Sequence, residues 1–153
     1  MEMLNSTDLT RETAIQTAQN EVVLNAAYIN GDWVTIEALA TDSGAASFDN
    51  RNNHALYDPN SGEEIATTRL CTSAHVEQAV EAADEAFASW SQTSVSERAR
   101  YLNAIAESME QQFDKLVGLS VLNNGKPIEE AKIDVGDAIA CYRYYANLIT
   151  EQA

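Results

Sequence analysis

The sequence predicts an α+β chain: two short β-hairpins followed by three helices. Three observations carry this expectation. Tyr28-Ile29-Asn30-Gly31-Asp32-Trp33-Val34 sets an Asn-Gly turn pair between aromatic and β-branched residues, a strong short-range hairpin signal. Asp58-Pro59-Asn60-Ser61-Gly62 is dense turn chemistry, and Ile65-Ala66-Thr67-Thr68-Arg69-Leu70 after it has strand character. Beyond Cys71 the apolar residues recur with a helical period.

Residues 1–20 are rich in Thr, Asn, Gln and Glu with few large apolar side chains. Such a stretch buries too little surface to offset its ordering entropy, so residues 1–27 are expected to form a loose extension. The folded body is expected over residues 28–153, broken by a polar surface insertion at 35–53.

The first helix is expected over residues 73–90, behind a Thr72 or Ser73 cap, with Val76, Ala79, Val80, Ala83, Phe87 and Trp90 on one face. Ser94-Val95-Ser96-Glu97 fits a capping box and opens a second helix, with Leu102, Ile105, Met109, Leu116 and Val117 as its buried stripe. Gly125 suits a left-handed helix end and Pro127 the first turn of a new helix. That third helix has Glu129 and Glu130 at the positive end of its dipole and Ala138, Cys141, Tyr145 and Leu148 on its apolar face.

Nine Lys and Arg against 24 Asp and Glu give a net charge of −15. Coulomb repulsion on that scale argues against nucleic acid and anionic membranes as partners. No apolar run approaches the ~18 residues of a membrane span, and residues 1–24 lack a secretory pattern, so a cytoplasmic protein is expected. Cys71 and Cys141 match no metal spacing; both are expected to be free thiols that pack as small apolar groups.

Few residues point to chemistry. None of the six glycines forms a phosphate-cradling strand-to-helix loop, and Lys126 lacks the glycines and hydroxyl of a P-loop. His54 and His75 are isolated and expected to play ordinary surface roles. Asp134 and Asp137, three residues apart, project from one helical face close to Tyr142, Tyr144 and Tyr145. Carboxylates with aromatic faces can hold an ammonium group, but spacing alone favours a solvated acidic face. Asn123 and Asn124 read most simply as helix-terminating residues.

Taken in order, Glu97-Arg98-Ala99-Arg100-Tyr101-Leu102, Leu122-Asn123-Asn124-Gly125-Lys126-Pro127, Ile133-Asp134-Val135-Gly136-Asp137 and Cys141-Tyr142-Arg143-Tyr144-Tyr145-Ala146 resemble the early part of an aldehyde dehydrogenase. The resemblance covers about residues 28–153 and is strongest to the betaine-aldehyde and aminoaldehyde dehydrogenases. It implies a longer α/β parent with a Rossmann-like cofactor domain, of which this chain would be an incomplete N-terminal part. The parent would use NAD or NADP to oxidise an aldehyde to a carboxylate, and would form a homo-oligomer.

The resemblance implies that the catalytic Cys, Glu and Asn lie beyond this stretch. No catalytic or cofactor-binding residue is therefore expected here, and the chain alone should be inactive. Asp134 and Asp137 would sit near the mouth of the substrate tunnel and attract a cationic aldehyde. Asn123 matches a position where that group uses Asp for a monovalent cation, so an amide there implies a weaker metal site. The competing reading is a complete, small, acidic helical interaction module without catalysis. Exposed apolar helix faces would oppose it.

Overall fold

The computed structural model describes residues 10, 13, 25–37 and 53–152. The loose extension expected over residues 1–27 and the insertion at 35–53 lie mostly outside the described residues. The described elements fall into two compact units, residues 23–92 and residues 93–153.

In the first unit, β1 (Ala26–Ile29) and β2 (Asp32–Thr35) pair antiparallel with Ile29 opposite Asp32 and Tyr28 opposite Trp33. Asn30 (φ 53°) and Gly31 (φ 87°) are both left-handed, the conformation that a two-residue turn needs to match the twist of its strands. The Tyr28 and Trp33 rings meet edge to face across the pair, 5.3 Å between centroids. β1 begins at Ala26, two residues ahead of the expected start of the body.

β3 (Asn53–Tyr57) and β4 (Glu64–Arg69) form the second hairpin, with a bulge between Leu56 and Tyr57. Its turn is organised by Asp58, whose Oδ1 accepts the Asn60 backbone N–H at 2.9 Å and whose carbonyl accepts the Gly62 N–H at 2.7 Å. The Arg69 guanidinium donates to the Ile36 carbonyl at 2.9 Å, tying the chain after β2 to the end of β4. Among the described residues of this unit, Ile29 and Ile36 are the buried ones.

Cys71 is exposed between β4 and α1 (Ser73–Trp90), which corrects the expectation that it packs in a core. It lies in the link between two elements, where no neighbouring side chain covers it. Thr72 is the N-cap of α1, as expected. No residue of α1 is buried: Val76, Val80, Phe87 and Trp90 form the expected stripe yet remain exposed, Phe87 at 65%.

The second unit has three helices. The stretch expected as one helix is two, α2 (Val95–Gln111) and α3 (Phe113–Asn124), separated at Gln112 (φ −109°, ψ 19°). There the Gln112 N–H is shared between the Ser108 and Met109 carbonyls, a loosened turn without Gly or Pro. The body therefore has four described helices where three were expected. Ser94 Oγ accepts the Glu97 N–H at 3.3 Å, half of the expected capping box; the Glu97 carboxylate pairs instead with Arg100 at 3.5 Å.

α4 (Ile128–Glu151) packs along both α2 and α3. The core between them is Ala106, Val117, Val121, Ala131, Val135 and Ile139, with Met109, Phe113, Leu116 and Ile128 against it. This corrects two expected stripes. On α2 the inward residues are Ala99 and Ala106 and Ile105 is exposed; on α4 the inward line is Ala131, Val135, Ile139 and Ala146, while Cys141 and Tyr145 are exposed. The inward line repeats at four- and seven-residue steps, and its small side chains let the helices approach closely.

Candidate substrate-entrance site

The candidate residues lie where α3 turns into α4. Gly125 ends α3 in a left-handed conformation (φ 72°, ψ 12°), its N–H reaching the Val121 carbonyl at 2.9 Å. Asn124 Oδ1 accepts the Lys126 N–H at 3.0 Å. The Pro127 carbonyl takes the Ala131 N–H at 3.0 Å, so α4 starts immediately after the proline. Glu129 and Glu130 occupy its first turn, and Glu129 also pairs with Lys132 at 2.8 Å.

Asp134 and Asp137 are both exposed on α4. Three helical residues set them about 4.5 Å apart in rise and about 60° apart in azimuth, so they share a face. They are not equivalent. The Lys126 ammonium is bonded to the Asp134 carboxylate, closing the α3–α4 turn against the second turn of α4. The Asp137 carboxylate has no ion pair or hydrogen bond among the described residues. Residue-by-residue reading missed the partnership of Lys126, although its being the one cation of an acidic turn was a usable signal.

The aromatic residues follow further along α4. Tyr144 and Tyr145 pack edge to face, 5.3 Å between centroids, and both are exposed. Tyr144 lies seven residues beyond Asp137, on nearly the same line of the helix surface but about 10 Å along the axis. Arg143 between the tyrosines is tied to Glu110 of α2 at 2.5 Å. Rings and carboxylates thus stand turns apart, an arrangement for attraction at range rather than a closed cage around an ammonium group.

Asn123, the other expected site residue, is exposed in the last turn of α3. Among the described residues no three His, Cys, Asp or Glu side chains cluster to hold a metal. Nor do the described residues form a dinucleotide cradle. Gly31 and Gly62 shape hairpin turns, Gly125 ends a helix, Gly118 is buried within α3 and Gly136 sits inside α4. His54 is exposed on β3, whereas His75 takes part in the α1 cap. No helix among the described residues is long and apolar enough to cross a membrane.

A family model described as "Aldehyde dehydrogenase family" matches residues 47–153. Malonate-semialdehyde dehydrogenase 2 of Bacillus thuringiensis is 39% identical over 136 residues, covering 89% of this chain and 25% of that protein. 4-trimethylaminobutyraldehyde dehydrogenase A of Danio rerio is 33% identical over 100 residues, covering 65% of this chain and 20% of that protein. The crystal structure of betaine aldehyde dehydrogenase from Staphylococcus aureus in complex with NAD+ superposes with a TM-score of 0.72 at 28% identity, covering 90% of this chain and 25% of that one. The chain spans about a quarter of the length of the curated relatives it matches.

Proposed function

Since this chain belongs to the aldehyde dehydrogenase family, we propose that it is the outer part, residues 28–153, of the cofactor-binding half of an NAD(P)-dependent enzyme that oxidises an aldehyde to a carboxylate. The observation that carries this reading is α1. An 18-residue helix with a coherent apolar stripe and no buried side chain is built to be covered, and the remainder of a family subunit is the natural cover. A self-sufficient acidic module would hide that stripe.

The chemistry of such an enzyme would come from chain outside the described residues. Cys71 and Cys141 are exposed, and neither is expected to act as the nucleophile. The nicotinamide cofactor would likewise be seated by other parts of the subunit, because no described strand-to-helix glycine turn could cradle its pyrophosphate. What this segment would add is the rim of the substrate path. Asp137 offers an uncompensated negative charge there, and Asp134, joined to Lys126, holds the turn from which that charge projects. The charge favours a cationic aldehyde, a betaine aldehyde or an aminoaldehyde. Asn123 would offer an amide oxygen to a monovalent cation, weakly for want of a charge. The parent would assemble as a cytoplasmic homo-oligomer.

A second reading has its own support. Malonate semialdehyde, named for the Bacillus relatives, carries a carboxylate. For such a substrate the charge of Asp137 would repel rather than attract, and the rim would select by other means.

The first test is the size of the native polypeptide, probed on a denaturing gel with an antibody to the segment around Lys126. A band several times heavier than 16.7 kDa, with aldehyde-dependent formation of NADH or NADPH by the isolated protein, is expected. A single band near 16.7 kDa would overturn the proposal in favour of the interaction module. The substrate class is then read by comparing betaine aldehyde, an aminoaldehyde and malonate semialdehyde.

A further inference from the structure

We propose that the apolar stripe of α1 docks against a surface of apolar side chains edged along one side by Lys or Arg, supplied by the remainder of the same subunit. The inference rests on the reading of this chain as part of a longer enzyme and adds the chemistry of what covers it. Successive helical residues are about 100° apart, which places Ala79, Trp90, Ala83, Val76, Phe87 and Val80, in that order, across a sector about 100° wide. Val76, Val80, Phe87 and Trp90 are all exposed. The half-buried residues of α1, His75 and Ala82, lie beyond the Ala79 edge, so the helix rests on its own unit by a flank and leaves the stripe uncovered.

The two edges of the stripe differ. Beyond Val80 come Asp84, about 40° further round, Glu77, about 60°, and Glu81, about 100°. Beyond Ala79 come Ala86, His75 and Ala82, with no carboxylate. Neither Glu77 nor Asp84 has an ion pair among the described residues, and α1 contains no Lys or Arg. A surface that covers the stripe therefore strips water from one line of carboxylates. That desolvation is offset where the covering surface brings cations to the same edge, and aggravated where it brings acids.

A second copy of this face supplies no cation. Two α1 helices paired antiparallel about a two-fold axis set acidic edge on acidic edge; paired parallel, they set each acidic edge on Ala82 and Ala86. Nor do the described residues hold a spare cation. Arg69 and Arg98 donate to the Ile36 and Thr93 carbonyls, Arg100, Lys126, Lys132 and Arg143 are in ion pairs, and Lys115 also has a partner. The complementary charge must come from elsewhere in the protein. This chain covers 25% of the Bacillus thuringiensis relative, so most of the length of such a subunit is available to provide it.

The test installs a photoreactive residue in the stripe of the full-length subunit, Phe87→p-benzoylphenylalanine, which keeps an aromatic ring there, and identifies the peptide it bonds on irradiation by mass spectrometry. The expected product migrates as one subunit on a denaturing gel and is bonded to a segment outside residues 1–153 with more Lys and Arg than Asp and Glu. Asp84→Lys should lower its yield by about 10-fold, whereas Glu85→Lys, on the side of α1 opposite the stripe, should leave it within about 2-fold. A product of twice the subunit mass, a bond within residues 1–153, a segment without that basic excess, or no product would each overturn the inference, as would equal yields from the two lysine variants. Should Asp84→Lys fail to fold, the charge of the bonded segment decides. A native polypeptide near 16.7 kDa fails the parent reading itself, before the probe is made; a full-length subunit that oxidises aldehyde yet gives no such product fails this inference alone.

Discussion

Replacing Asp137 with Asn in a full-length aldehyde dehydrogenase subunit containing this segment removes one charge and little volume. Its effect can be bounded from the local charges. Asp134 is balanced by Lys126 and Glu129 by Lys132, so Asp137, with Glu130 about two turns earlier on the same line, is a carboxylate of this face whose field is not locally cancelled. A substrate ammonium passing about 7 Å away feels about 1 kcal/mol at an effective dielectric of 40. Physiological salt, with a screening length of about 8 Å, reduces that to about 0.5 kcal/mol. The apparent KM for a cationic aldehyde should rise by about 2- to 5-fold, while that for a neutral aldehyde of similar size stays within about 1.5-fold. Steady-state assays at several salt concentrations read both, and the difference should fade toward 1 M salt as the screening length shrinks to about 3 Å. Equal changes for both substrates, or a difference indifferent to salt, would refute the steering argument. A fall in KM for malonate semialdehyde would instead mark Asp137 as a repulsive group and favour the second substrate reading.

Gly136→Ala should stabilise the chain by about 0.5–1 kcal/mol, because a Cβ at this helical position meets nothing within 4 Å and the backbone entropy cost of glycine is removed; a lower urea midpoint would contradict this. Val121→Ala should cost about 2–3 kcal/mol, since Val121 is fully buried and loses two methyl groups worth about 0.8 kcal/mol each before the cavity is counted. Urea unfolding checks it, and a loss below about 0.5 kcal/mol would mean that the three-helix core is loosely packed.

The elements that were legible in the sequence are those specified by backbone chemistry. Asn30-Gly31, Asp58 through Gly62, and Gly125 with Pro127 all demand unusual dihedrals or side-chain-to-backbone bonds that few residues supply, and each falls where expected. The helix faces were less legible because large apolar residues drew the stripes. The real seam of α4 uses Ala131 and Ala146, whose small size is what lets α2 and α4 meet. The break at Gln112 has no glycine or proline to announce it. Cys141 illustrates the same point from outside: its neighbours in sequence are aromatic, but its azimuth lies off the buried line. In the candidate site, the three-residue spacing of Asp134 and Asp137 within α4 puts them on one helix face. Their different electrostatic standing was not readable, because it depends on a lysine that approaches across the turn.

The two hairpins also set a timetable. Each joins neighbouring strands through a short turn, and such units close in about 1–10 μs, whereas a ribosome adds a residue only every ~50–200 ms. Each hairpin can therefore finish between one peptide bond and the next after its second strand clears the exit tunnel. The α1 stripe has no such prompt partner and stays open long after the hairpins have settled. During synthesis that helix, rather than either hairpin, is the surface on which a chaperone would find purchase.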